Sequence, residues 1–200
     1  DERKLLRVVG YLAKFPTLGT VLGESNYCGD SYTVALSATT DASHAVYPEG
    51  HSHGGHIIQV GTPGLPNICV VDHTCSKSKV ISRASMGSEV QYLLGAADKA
   101  EFLRQTLDSV ELQVPIPMPF FTDSNSTLHT MRRSKLSPKM IHEIVRNNYL
   151  KQLVDKGVIE LVYVSTDVCK SDLFTKYLPS KRFHKLLEGM MVEVKLRPIV

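Results

Sequence analysis

One long segment with apolar residues at helical spacing separates two parts of the chain that have strand-like patterns. Over residues 88–110 apolar positions recur every three or four residues, which predicts a helix of about 20 residues. Runs at 31–40, 57–60 and 68–71 precede it and predict an antiparallel meander of three strands. Residues 42–55 are rich in glycine, proline and histidine, so we expect a turn there.

The pattern after the long helix alternates between strands and helices. The pair Phe120-Phe121 and residues 159–164 are predicted strands, and residues 125–131, 138–156, 172–177 and 180–190 are predicted helices. Together with the meander, this order predicts an α/β fold with a mixed five-stranded sheet flanked by helices.

The beginning of the chain has its own pattern. Residues 2–15 show helical periodicity that stops at Pro16, a short β-like run follows at 18–22, and the sequence opens at Asp1 inside the helical pattern. We therefore expect an excised piece of a longer polypeptide. In this interpretation residues 1–25 are a connection from an upstream part and residues 26–200 form the domain.

Charge and cysteine content limit the classes of function. The net charge of the 200 residues is only +3, so any contact with nucleic acid must come from local clusters. Candidate clusters are Lys77/Lys79/Arg83, Arg132/Arg133/Lys135/Lys139 and Lys176/Lys181/Arg182/Lys185, and the alternative for each is a solvated surface. Four cysteines without repeated spacing favour a reducing, intracellular compartment. We find no apolar run that could span a membrane and no signal-peptide pattern.

Four acidic residues stand where a predicted strand ends or a predicted helix begins. Asp41 and Asp123 follow strand-like runs, while Glu89 and Asp172 fall in first helical turns. Since the ends of neighbouring strands meet at one edge of a sheet, the fold could gather all four. Taken singly, each has an ordinary explanation as a helix cap or a residue favoured by the helix dipole.

A gathered set of four carboxylates indicates a cation site. Buried carboxylates repel one another strongly unless a cation lies between them. Mg2+ prefers oxygen ligands, and two ions about 3.5–4 Å apart could bind the attacking water and the leaving oxygen of a phosphodiester. The sequence therefore predicts that Asp41, Glu89, Asp123 and Asp172 are metal ligands and catalytic residues, with two Mg2+ ions as cofactors and Mn2+ as a substitute.

Local motifs around these acids resemble the ribonuclease H fold. Asp41-Ala42-Ser43 followed by 54–58 is similar to the family's first strand and the glycine-bearing turn into the second. The segment Phe121-Thr122-Asp123-Ser124-Asn125 is similar to its strand-ending Asp-Ser. Blocks 77–85, 96–104, 157–164 and 172–179, with 5–12, narrow the resemblance to the ribonuclease H domain of copia-type retrotransposon polyproteins.

This resemblance implies cleavage of the RNA strand of an RNA–DNA hybrid during reverse transcription. Recognition would rest on 2′-hydroxyl contacts and on phosphate contacts. The substrate-binding candidates are Ser43, Met86, Gly87, Asn125, Lys77, Lys79 and Arg83. The implied partners are the hybrid and an upstream reverse transcriptase, and the implied location is a cytoplasmic retroelement particle or the nucleus.

The chain departs from the family pattern at three places. Residues 43–46 lack the usual aromatic residue, and the acidic residue of a His-Ile-Asp pattern has moved to Glu143. The mobile histidine that cellular ribonucleases H carry before the last aspartate has no counterpart in 166–171. An alternative is therefore a weak or inactive domain that holds the template–primer beside the polymerase. An integrase-like or junction-cleaving nuclease is a further alternative.

Histidines offer a rival metal site. His51, His53 and His56 could bind Zn2+, and Cys69, Asp72, His73 and Cys75 form a second loose cluster. Neither has a cysteine pair at zinc spacing, which favours a flexible polar turn.

Overall fold

The computed structural model describes residues 33–61, 69–132 and 143–188, together with positions 6, 9–10, 13–14, 18–19, 190 and 192–193. Five strands form the central sheet: β2 (Ala35–Ser43), β3 (His53–Gly61), β4 (Cys69–Lys77), β5 (Met118–Thr122) and β6 (Ile159–Tyr163). A separate pair joins β1 (Leu18–Gly19) to β7 (Val192–Glu193). The helices are α1 (Ser85–Asp108), α2 (Asn125–Arg132), α3 (Ile144–Asp155), α4 (Asp172–Thr175) and α5 (Ser180–Glu188).

The central sheet is mixed, in the order β4-β3-β2-β5-β6. The first three strands pair antiparallel, whereas β2 pairs parallel with β5 and β5 parallel with β6. This confirms the predicted α/β architecture with a mixed five-stranded sheet and flanking helices.

Strands β3 and β4 of the meander are longer than the sequence predicted, and β2 ends later along the chain. Strand β2 continues through Asp41 to Ser43, and β3 begins at His53, inside the segment expected to be a turn. The tight connection uses positive φ angles at Ala45 and Gly50. Strand β4 also continues to Lys77. Pairing with neighbours, rather than intrinsic strand preference, extends these strands across residues that rarely form strands alone.

Glycine in β3 allows a close approach to the long helix. A Cβ on Gly54 would lie 2.2 Å from Cδ2 of Tyr92, so only glycine lets the Tyr92 ring pack against the strand. The Tyr92 hydroxyl donates a hydrogen bond of 2.8 Å to the backbone oxygen of Ser76 in β4. Helix α1 is thereby fixed across the meander.

The core lies between α1 and the sheet. Its fully buried side chains come from both layers and include Leu36, Ile58, Val90, Leu93, Met118 and Phe120. Burial of apolar side chains of this size is the main stabilising contribution of the fold. Within the part of the chain that the structure describes, no helix is both long and apolar enough to cross a bilayer.

Helix boundaries differ from the prediction at two places. Helix α1 begins at Ser85, three residues earlier than predicted, and Ala84 before it provides no side-chain cap. Glu89 therefore lies in the second turn rather than the first. Helix α3 begins at Ile144, while residues 138–142, the first five of the predicted helix 138–156, lie outside the described residues. Most of the predicted helix 2–15 and of the connection 1–25 also lies outside them.

Candidate metal centre

The four predicted carboxylates come from four different elements. Asp41 lies near the end of β2, and Asp123 directly follows β5, the parallel neighbour of β2. Glu89 is on α1, which covers this part of the sheet, and Asp172 is the first residue of α4. The carboxyl ends of parallel strands meet at one edge, and this topology brings Asp41 and Asp123 together.

The acidic side chains form one cluster that shares Asp123. One carboxylate oxygen each of Asp41, Glu89 and Asp123 lie within 4.8 Å of one another. Asp123 and Asp172 also lie within 4.8 Å of each other and of the Cys169 thiol. The structure thus gathers the four predicted residues, whose catalytic and metal-binding roles stay predictions.

Burial makes the charge of the cluster costly. Asp172 is 0 % exposed, Asp41 2 % and Glu89 9 %. Burial, together with the negative charges of Asp41 and Asp123, raises the pKa of Glu89 to about 9. Glu89 Oε2 is buried and has no hydrogen-bond partner among the described residues. At neutral pH Glu89 is therefore protonated unless a cation joins the cluster.

Two basic residues neutralise part of the charge. The Lys176 ammonium lies 2.7 Å from Asp172 Oδ1, 3.4 Å from Asp41 Oδ2 and 3.7 Å from Asp123 Oδ2. Arg182 on α5 pairs with the other oxygen, Asp172 Oδ2. Burial alone would lower the pKa of Lys176, but the hydrogen bond to Asp172 and the surrounding aspartates raise it. The pKa of Asp172 is raised by burial, against the opposing effect of Lys176.

Hydroxyl groups hold the other two aspartates. Thr175 Oγ1 donates a hydrogen bond to Asp41 Oδ2, and Thr166 Oγ1 donates one of 2.9 Å to Asp123 Oδ2. Ser43 Oγ donates to the backbone oxygen of Thr175 at 2.9 Å. Side chains between Thr166 and Arg182 therefore orient all three aspartates of the cluster.

The predicted substrate-binding residues divide into buried and exposed sets. Met86 and Gly87 are buried in the first turn of α1. A Cβ on Gly87 would lie 1.9 Å from the carboxylate of Glu143, the displaced acidic residue of the family pattern. Ser43 is half-buried beside α4, and Asn125 is exposed at the start of α2, two residues after Asp123.

The basic candidates Lys77, Lys79 and Arg83 are all exposed. Lys77 pairs with Glu49 at 2.9 Å and its ammonium lies 4.8 Å from the centre of the Tyr47 ring. Lys77 is the last residue of β4, and Lys79 and Arg83 lie in the connection to α1, the helix that carries Glu89.

Several residues of the cluster were not identified individually from the sequence. Lys176 and Arg182 appeared only as members of a surface basic cluster, and Thr166, Thr175 and Cys169 were not singled out. Burial raises the pKa of the Cys169 thiol to about 12, so this residue is uncharged. The motif Asp172-Leu173-Phe174-Thr175-Lys176 was the available signal, because residues three and four positions apart lie on one helical face.

The histidine clusters do not form a comparable site. Within the described residues, neither group of three potential ligands includes a histidine. His51 Nδ1 lies 2.8 Å from the backbone oxygen of Ser78. His56 is buried 3.5 Å from Asp72, and burial together with the Lys99 charge lowers its pKa to about 4. A contact with the backbone therefore accounts for His51, and burial keeps His56 uncharged at neutral pH.

Comparisons with known proteins connect the chain to retrotransposons. It is 23 % identical over 195 residues to the retrovirus-related Pol polyprotein from transposon RE2 of Arabidopsis thaliana, covering 97 % of this chain. It is 22 % identical over 180 residues to the corresponding polyprotein from transposon RE1 of the same plant, covering 90 % of this chain. The chain spans only 12 % of the length of either relative. No family model matches the sequence.

Solved structures with a related arrangement include ribonucleases H. An RNase H1, LC11, in complex with RNA/DNA hybrid is 14 % identical and aligns with 70 % of this chain and 92 % of its own, with a TM-score of 0.48. The protease–reverse transcriptase of prototype foamy virus is 12 % identical and aligns with 84 % of this chain and 22 % of its own, with a TM-score of 0.43. The sequence similarity to transposon Pol polyproteins confirms the relationship that the motifs indicated.

Proposed function

We propose that this chain is a metal-dependent ribonuclease that hydrolyses the RNA strand of an RNA–DNA hybrid during reverse transcription by a retrotransposon. The observation that carries the proposal is the convergence of Asp41, Glu89, Asp123 and Asp172 from four elements. Similarity to transposon Pol polyproteins supports the biological setting. The upstream partner would then be a reverse transcriptase, and the location a retroelement particle or the nucleus.

The donor atoms suit a hard divalent cation. Carboxylate oxygens are the ligands that Mg2+ and Mn2+ prefer. Glu89 Oε2, which is buried and has no hydrogen-bond partner within the described ranges, is an oxygen that a cation would satisfy. Burial and the neighbouring aspartates, which together raise the pKa of Glu89, also favour the binding of a cation. A pair of bound ions would activate a water molecule and stabilise the 3′-oxygen that leaves the RNA strand.

The residues of the chain would hold this site ready for the reaction. Thr175 and Thr166 orient Asp41 and Asp123 by hydrogen bonds, while Arg182 orients Asp172 from the side opposite Lys176. Fixed orientation lowers the reorganisation needed when charge develops on the phosphate. Glu89 would give up its proton as the site fills, because a nearby cation favours the charged carboxylate and so opposes the effect of burial on its pKa.

Substrate recognition would involve the exposed residues around the cluster. Asn125 begins α2 two residues from Asp123, where its amide could contact a 2′-hydroxyl of the RNA strand. Lys77, Lys79 and Arg83 would contact phosphates, which positions a hybrid without reading its sequence. Ser43 and the backbone of Met86 and Gly87 would contribute further contacts to the 2′-hydroxyls of the RNA strand.

A cleavage assay tests the proposal. We expect the wild-type protein to cut the RNA strand of a hybrid with Mg2+ or Mn2+ but not single-stranded RNA or duplex DNA. Asp123→Asn should lose at least about 100-fold in rate, since it removes an oxygen donor shared by the whole cluster. Asp108→Asn, an exposed carboxylate at the end of α1, is the matched control. If neither wild type nor Asp123→Asn cleaves the RNA strand, the proposed nuclease function is wrong.

One observation favours a second candidate, a domain that binds the hybrid without cutting it. Lys176 and Arg182 already compensate part of the carboxylate charge, which weakens the need for metal. Fluorescence anisotropy with a labelled hybrid separates the two candidates. Binding that is unaffected by chelator, combined with absence of cleavage, would favour the scaffold.

A further inference from the structure

The Lys176 ammonium occupies a position among the carboxylates that a metal ion would use. It lies within 3.7 Å of oxygens from Asp172, Asp41 and Asp123, three of the four predicted ligands. Arg182, the other cation beside the cluster, pairs with Asp172. A single ammonium thus serves several acceptors that a divalent cation could bridge.

The two oxygens of Asp172 are divided between two cations. Lys176 takes Oδ1 and Arg182 takes Oδ2, while the carboxyl group is entirely buried. A metal ion could bind Oδ1 only after Lys176 moves away. Arg182 can remain, because it holds the opposite oxygen and comes from a different helix, α5.

Lys176 is placed so that it can leave. It directly follows α4 as the C-cap residue, its side chain is 34 % exposed, and the following Tyr177 is 91 % exposed. A lysine has a flexible four-carbon stem, and its ammonium is well solvated by water. Movement of this one side chain would open the cluster without unfolding an element of the core.

We propose that Lys176 is a built-in competitor of the metal: it closes the carboxylate cluster in the metal-free protein and is displaced when a divalent cation binds. The inference rests on the proposed function, since it assumes that the cluster binds metal. Lys176 is then a positioning residue that determines the cation concentration at which the site fills. Apparent affinity falls in proportion to the fraction of molecules in the open state.

Metal binding without substrate tests this inference. Mn2+ is titrated into the metal-free protein, and free Mn2+ is followed by its electron paramagnetic resonance signal. We expect Lys176→Met to bind Mn2+ about tenfold more tightly than wild type, if the open state is about one tenth of the population. Lys176→Gln should behave in the same way, and Lys176→Arg should keep a value close to wild type. Lys181→Met, an exposed lysine on α5, is the matched control.

Thermal unfolding gives a second measurement. Without metal, Lys176→Met should melt below wild type, because three aspartates lose a shared cation. Added Mn2+ should raise its melting temperature more than that of wild type. If Lys176→Met and Lys176→Gln both bind Mn2+ no more tightly than wild type, the inference about Lys176 is wrong, but the proposed nuclease function is unaffected. If neither wild type nor any variant binds Mn2+, the inference about Lys176 and the proposed nuclease function are both wrong. If the neutral variants bind Mn2+ more tightly but no protein cleaves the hybrid, only the proposed nuclease function is wrong.

Discussion

Glu89 and Asp172 belong to one carboxylate cluster and are both buried, yet they differ in the positive charge that lies beside each carboxyl group. Asp172 meets a cation at each oxygen, Lys176 at one and Arg182 at the other. Glu89 has a buried oxygen without a hydrogen-bond partner in the described chain, and its pKa is raised to about 9. The cluster is thus compensated on the side of α4 and α5 and lacks positive charge on the side of α1.

This difference indicates where an added cation has most effect. With Glu89 protonated, the three aspartates exceed the two cations by one negative charge. A divalent ion would correct this excess and also permit Glu89 to ionise. Asp172, by contrast, needs no metal for its orientation. We therefore expect substitutions of the two residues to differ in their effect on the stability of the metal-free protein.

The largest effect on stability should come from removing the compensated carboxylate. Asp172→Asn leaves Lys176 and Arg182 facing a neutral amide, and we expect a loss of about 2 kcal/mol in the free energy of unfolding. Breaking a fully buried pair costs more, but both cations here are partly exposed, and relief of repulsion from Asp41 offsets some of the loss. Urea denaturation of the metal-free protein at pH 7 measures it.

Glu89→Gln is the matched substitution on the other side of the comparison. It replaces a protonated carboxyl with a neutral group of similar shape, so the metal-free protein should lose less than about 0.5 kcal/mol or become more stable. If Glu89→Gln destabilises as much as Asp172→Asn at pH 7, the two carboxyls are not in different charge states and the contrast fails.

The pH dependence of stability should separate the two residues further. Glu89 has a pKa near 4.5 when unfolded and about 9 when folded, so between these values only the unfolded state loses the proton. Stability from this group is therefore complete below pH 4.5 and declines as pH rises towards 9. Its slope is at most about 1.4 kcal/mol per pH unit.

The difference between wild type and Glu89→Gln isolates this contribution, because other titrating groups cancel. Measured in chelator at pH 5.5, 7 and 8.5, Glu89→Gln should gain relative to wild type with each step. Saturating Mn2+ should abolish the trend, since the bound cation lowers the pKa of Glu89. A difference that does not change with pH in chelator would mean that Glu89 is already ionised.

The same contrast shows what the sequence could predict and what it could not. Asp123 was placed correctly because an apolar strand pattern ends directly before it. Glu89 was assigned to the first helical turn but lies in the second. Ala84 is not a typical capping residue, and the spacing of apolar residues does not indicate that the helix begins at Ser85. Residues 53–55 were assigned to a turn because glycine and histidine rarely favour strands, whereas pairing with β2 and β4 determines their structure.

The compensation of Asp172 illustrates a different limit. Lys176 is four residues away, at a spacing that a sequence reader can recognise in a helix. Arg182 reaches Asp172 only because the chain turns between α4 and α5, and that turn follows from tertiary packing. Periodicity identifies the faces of elements, but it does not determine which oxygen of a carboxylate each of two cations will take.

The smallest effect should come from the hydroxyl that holds Asp41. Thr175→Val keeps the shape of the side chain and removes the hydrogen bond to Asp41, so we expect a loss of about 1 kcal/mol in chelator, the usual net value of such a bond. Thr175→Ser, which keeps the hydroxyl, should lose less. Thr166→Val, removing an exposed bond to Asp123, is the matched comparison and should lose least. If Thr175→Val is neutral while Asp172→Asn is not, orientation of the cluster depends on its cations rather than on its hydroxyls, and the contrast between Glu89 and Asp172 is then a matter of charge alone.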